Sequence, residues 1–196
     1  MKVSKEQMAE NRERILDTAA QLFRERGFDG IGVADLMKGA GLTHGGFYGH
    51  FSSKEDLMAQ ACARALEQSR AQWQSLVDET TENPRAMLER AYLCTPHRDT
   101  PGRGCLMAAL GADAARQGPG VRSAVTQGLH AMVDLLSSVM PGRTKAARRQ
   151  KALADYASLV GALVLARAVD DAALSDEILQ ATAAALQLPP QAAAGS

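Results

Sequence analysis

The chain has 196 residues, of which 46% are hydrophobic and 22% charged, so it can bury a core without disulfide or metal staples and is too apolar to be mainly disordered. Lys plus Arg number 22 and Asp plus Glu also 22, so no global field draws the chain to a polyanion, and any nucleic-acid site has to be local. Aromatic residues are only 4%, a composition that favours helices packed on helices over sheets.

From residue 6 to 26, Ile15, Leu16, Ala19, Ala20, Leu22 and Phe23 recur at helical spacing between charged positions, and Gly27 provides a stop. A turn at Phe28-Asp29-Gly30 leads to a short helix over 33–39. Gly41 permits a tight turn, and Thr43 is placed to cap a second short helix reaching about His50. Ser52 or Ser53 then opens a long helix, with Glu55 or Asp56 beside its positive end, running to about Val77. Asn83-Pro84 begins a helix carrying Met87, Leu88, Ala91 and Tyr92. Residues 95–104, with Pro96, Pro101 and two glycines, are expected as loop. Helices follow over 105–116, 121–140, 145–169 and 174–188, and 189–196 is expected to be a disordered tail. No period-two strand pattern and no internal repeat is found. The predicted class is all-α.

Two short helices joined by a glycine turn, with a long helix on each side, have the outline of a helix-turn-helix. The second must expose small and polar residues to a major groove while burying its apolar side. Thr43, His44, Gly45, Gly46, Tyr48, Gly49 and His50 supply such a face, and Phe47 and Phe51 point inward with Leu36, Met37, Leu42, Phe23 and Phe28. At these residues the chain resembles the tetracycline-repressor (TetR) family. Residues 15–23 followed by Arg26-Gly27-Phe28 are similar to that family's first helix, 40–51 to its recognition segment, and 53–57 to the start of its fourth helix.

The resemblance implies a repressor with a helix-turn-helix domain over 1–52 and a regulatory and dimerisation domain over 53–188. The implied partners are a palindromic double-stranded DNA operator, a small-molecule effector and a second copy of the chain. It further implies phosphate contacts from Thr43, Tyr48, His50 and Lys54, which position without reading sequence. Base contacts fall to His44, Gly45, Gly46 and Gly49, whose bare backbone allows close approach but little discrimination. Three positions depart from the family pattern: His44 stands for a common lysine, Gly32 for a Ser or Thr cap, and Met37 for a smaller alanine.

Trp73, Tyr92, Leu106, Met107, Leu110, Met132 and Leu136 are candidate lining for an effector pocket, where few charges point to a lipophilic ligand; each is otherwise ordinary core. Cys62, Cys94 and Cys105 form no CxxC pair, so neither a disulfide framework nor a zinc knuckle is signalled. Cys105 begins a helix after Pro101-Gly102-Arg103-Gly104. A helix N-terminus and a nearby Arg103 favour thiolate, and Gly104-Cys105-Leu106 resembles electrophile-sensing TetR members; the plain alternative is a buried thiol filling space.

His97 and His130 lack partners at metal-ligand spacing, the basic run 143–151 suits a solvated helix start, and neither a Walker glycine loop nor a GxSxG is present. No enzyme activity, metal or cofactor is therefore expected. The longest apolar stretch, 159–166, is too short to span a bilayer, and the N-terminus lacks a secretory h-region, so a bacterial cytoplasmic location is expected. The alternative function is a helical small-molecule binding or scavenging protein that no longer grips DNA.

Overall fold

The computed structural model describes residues 4–81 and 83–187. The α-helices among them are α1 (Lys5–Arg26), α2 (Val33–Gly39), α3 (Lys54–Glu79), α4 (Pro84–Tyr92), α5 (Thr95–Asp99), α6 (Leu106–Ala114), α7 (Pro119–Val139), α8 (Lys145–Ala168) and α9 (Ala172–Gln187). No strand occurs among the described residues. Two segments are tighter 3-10 turns, His44–Gly49 and Pro101–Arg103. The expected loop over 95–104 is therefore replaced by α5 and a 3-10 turn. Two prolines, each with φ already set for a helical first turn, start short helices here instead of preventing them. The expected tail over 189–196 lies outside the described residues.

Two compact units divide the chain: 1–72 with 100–132, and 73–99 with 133–196. Leu57, Ala61 and Leu66 of α3 and Leu106 and Leu110 of α6 share one core with Ile15, Leu16 and Phe23 of α1.

In the first unit α1 opens with Ser4, whose hydroxyl accepts from the Gln7 N–H at 3.1 Å, and closes with Gly27 at φ 76°. That left-handed conformation excludes ordinary side chains, as does the φ of 71° at Gly41 after α2. At the start of α3 Ser53 is the cap. Its hydroxyl accepts from the Asp56 N–H at 3.0 Å, and the Asp56 carboxylate accepts from both the N–H and the hydroxyl of Ser52. These bonds from Ser52, with one from Gln60, hold the Asp56 carboxyl below its ordinary range. Arg64 of α3 pairs with Glu13 and Asp17 of α1.

The second unit is built on α8 and α9, with α4 and α5 packed on them. Asn83 caps α4, Thr144 caps α8, and Asp171 accepts from the N–H groups of Ala173 and Leu174 at the start of α9. Arg85 of α4 donates 2.6 Å to the Leu186 carbonyl in the last turn of α9, and pairs with Glu89 at 2.9 Å and Asp155 at 3.0 Å. Arg167 of α8 donates to the carbonyls of His97 and Arg98, the last turn of α5. Trp73 meets Tyr92 and Tyr156 edge-on, with ring centroids 5.7 and 6.2 Å apart.

Candidate nucleic-acid interface

The turn His44–Gly49 is seated by its aromatic side. Phe47 is buried and stacks on Phe51 at 5.8 Å, while the Tyr48 ring meets Phe47 edge-on at 5.2 Å and stays 73% exposed. Thr43, His44, Gly45, Gly46 and Gly49 are exposed with it, and His50 is half-buried. The structure thus gathers seven of the eight candidate DNA contacts on one short segment.

Its helix type differs from expectation. The segment is a 3-10 turn, and Thr43, although at the cap position, makes no side-chain capping bond. Gly45, Gly46 and Gly49 are three of the six residues in the turn. Each costs roughly 1 kcal/mol of α-helical preference against alanine, so a regular α-helix is not held here. No steric demand explains these glycines: a Cβ on Gly45 would meet nothing within 4 Å, and on Gly46 or Gly49 only ordinary contacts.

Lys54 is turned inward. Its Nζ donates 2.6 Å to the Phe28 carbonyl at the turn between α1 and α2, so the ammonium ties the start of α3 to that turn. A contribution that the sequence does not reveal comes from Arg12. Its guanidinium lies 5.0 Å from the Phe51 ring centroid and bonds the Gln60 amide oxygen. Partial burial, and then Arg12, push the His50 imidazole below its ordinary range, so the neutral ring offers hydrogen bonds there without a charge. Arg12 lies 48 residues from Gln60, and no local motif announces a contact of that separation.

Residues 15–61 match the model for bacterial regulatory proteins of the tetR family. The HTH-type transcriptional repressor NemR of Escherichia coli is 29% identical over 134 residues, 67% of each chain. The crystal structure of its reduced form superposes with a TM-score of 0.76 at 27% identity, covering 91% of this chain and 95% of that one. The HTH-type transcriptional repressor KstR2 of Mycobacterium tuberculosis is 33% identical over 89 residues, 45% of this chain and 44% of that protein. The match therefore spans less than half the length of KstR2. Residues 15–61 are thus a TetR-type N-terminal segment.

Outside the TetR-type head, the candidate effector residues separate. Leu106 and Leu110 belong to the core that holds Phe23 and Phe28, with Met107 packed against it, and Met132 is buried in the same unit. Trp73, Tyr92 and Leu136 belong to the second unit. The polarity expected there is also incomplete, because Glu89 is 3% exposed and Asp155 is buried beside Arg85. Sequence reading missed this trio. A charged residue every fourth position on a helix looks like a solvated face until its neighbours are known.

Cys105 is the cap residue of α6 and is 8% exposed. Arg103 is exposed, and Arg24 of α1 is the cation bonded to the segment just before Cys105, at the Gly102 carbonyl. Burial pushes the Cys62 thiol up to about 12, against the opposing effect of Arg24. Cys94 is partly exposed and its thiol donates to the Ala91 carbonyl at 3.3 Å. Among the described residues no helix is long and apolar enough to cross a membrane.

Proposed function

We propose that this protein is a transcriptional repressor that holds a palindromic DNA operator as a homodimer and is released by a small lipophilic or electrophilic effector. It works by binding and carries out no catalysis, in the bacterial cytoplasm. The observation that carries the reading is the exposed, glycine-rich turn His44–Gly49, seated on Phe47 and Phe51 and presenting Tyr48, in a TetR-type segment whose relatives are named repressors. Thr43, Tyr48 and His50 contact phosphate and fix the register, while His44, Gly45, Gly46 and Gly49 face the base edges. Lys54 acts on DNA chiefly by holding the head's shape through Phe28.

Release is a population shift: the effector favours a spacing of the two heads that misfits successive major grooves, about 34 Å apart on the duplex. The edge-on rings of Trp73, Tyr92 and Tyr156 support a lipophilic effector in the second unit, and Cys105 is the proposed site for an electrophilic one.

The test is a gel shift on duplexes selected by the wild-type protein from random sequence. Tyr48→Ala should weaken binding at least tenfold while melting like wild type, because an exposed ring contributes little to the fold. Retention of affinity would overturn the site. Failure of the wild-type chain to select any duplex would favour the scavenging protein. Alkylation at neutral pH should label Cys105 before Cys62 and reduce operator binding, and Cys105→Ser should retain binding after the same treatment. Equal labelling would leave a reversible effector as the better account.

A further inference from the structure

We propose that Arg24 is the positioning residue that ties the segment entering α6 to α1, so that modification of Cys105 reaches the DNA-facing helices through this side chain. The inference rests on the reading of Cys105 as the reactive thiol. Arg24 leaves the last turn of α1, and its Nε donates 2.8 Å to the carbonyl of Gly102 across 78 residues of sequence. Gly102 is buried and lies in the 3-10 turn just before Cys105. The next residue of α1 closes over the same glycine: a Cβ there would stand 2.2 Å from Oε1 of Glu25 and 2.9 Å from its Cδ. Two consecutive α1 side chains thus clasp one backbone position. The Arg24 guanidinium is also within electrostatic reach of Cys62 on α3 and of Cys105 at the start of α6.

An adduct at Cys105 has no room in this arrangement. Leu106 and Leu110 are buried in the core, and interiors of that density do not admit an added ring without displacement. The 100–105 segment must therefore move, and the Gly102 carbonyl moves with it away from Arg24. α1 packs on α2, and α2 on the His44–Gly49 turn, so loosening the end of α1 is felt at the recognition segment.

N-ethylmaleimide is the probe. The Cys105 sulfur adds to its double bond, forming a C–S bond while the C=C π bond is lost. The sulfur's proton leaves to solvent, the ring carbon next to the new C–S bond takes up one proton from solvent, and no oxidant is consumed. Labelling is located by peptide mapping in a Cys94→Ser background, and binding is measured on the selected duplex. Labelling of Cys105 should weaken binding at least tenfold with Arg24 present.

Arg24→Met, unlabelled, should already bind at least fivefold more weakly than that parent, because the bond to the Gly102 carbonyl is gone, and should lose less than threefold more on labelling. Equal labelling with an equal loss in Arg24→Met would overturn the tie while leaving the thiol reading intact. Labelled Cys105 with undiminished binding in the Arg24 parent would instead remove the thiol reading, and the tie with it. Hydrogen exchange needs no Arg24 variant and covers the case in which Arg24→Met does not fold. Amides at 24–29 should exchange faster after labelling, and unchanged protection alongside lost DNA binding would refute the tie.

Discussion

Gly45 is exposed, stands in a right-handed 3-10 turn and has nothing within 4 Å of where a Cβ would be, so the free protein has no need of glycine there. Replacement by alanine reduces the entropy lost on folding and should stabilise the chain by about 0.5–1 kcal/mol. If the glycine serves close approach of the backbone to bases, Gly45→Ala should also weaken operator binding at least tenfold. Thermal melting and a DNA titration on one preparation would measure both effects. A variant that is more stable and binds undiminished would remove Gly45 from the interface. Lys54 illustrates the opposite case. Its position was legible as a cation at the head of α3, but its ammonium is engaged by the Phe28 carbonyl. Hydrogen bonds from charged groups contribute on the order of 1.5–3 kcal/mol. Substitution there therefore tests the fold as much as the DNA contact.

Helices α4, α8 and α9 are joined by Arg85, which serves the Leu186 carbonyl and two carboxylates, Glu89 and Asp155. One cation against two acids leaves Glu89 with its carboxyl above the ordinary range, first because it is buried; Arg85 opposes this and Asp155 adds to it. A carboxyl lifted in this way binds its proton more tightly folded than unfolded. Its favourable contribution is full below the unfolded value, near 4.3, and is lost as pH rises through the lifted native value. Glu89→Gln removes that loss. As pH rises above about 4 the variant should gain stability relative to wild type. Urea denaturation at a series of pH values would check it, and a difference that does not change with pH would refute it. Helix positions here follow simple periodicity, whereas the charge trio depends on α4 meeting α8 and α9, which periodicity does not encode.

At the scale of the whole molecule, α8 carries both buried and exposed large apolar side chains. Tyr156, Leu159 and Leu163 are buried within the unit, while Leu153, Val164 and Leu165, joined by Leu174 of α9, remain exposed. Several large apolar side chains exposed on two helices of one unit are the mark of a surface that another chain covers. The homodimer proposed above requires such a surface, with an isologous contact of the same helices from each copy. Leu165→Asp with Val164→Asp should halve the mass measured by light scattering, leave the helical circular dichroism unchanged, and weaken operator binding at least tenfold as the two heads lose their linkage. Wild-type mass equal to one chain at micromolar concentration, or a double variant that still pairs, would place the interface elsewhere.

The all-α class, the long helices, a serine cap at Ser52 or Ser53, the helix start at Asn83-Pro84, the stop at Gly27 and the exposed side of the 43–50 segment were legible in the sequence alone. Each depends on neighbours within about four residues: an apolar repeat of 3.6, a side-chain oxygen before a helix, or a glycine after one. Tertiary structure decided what lies beyond that reach. It turned Lys54 toward Phe28, brought Arg12 to Phe51, bonded Arg24 to the Gly102 carbonyl, and joined α3 and α6 to the head's core. Long charged side chains choose their partners after the backbone has closed, by reaching whichever carbonyl, ring or carboxylate the packing of apolar faces has left within a hydrogen bond's length.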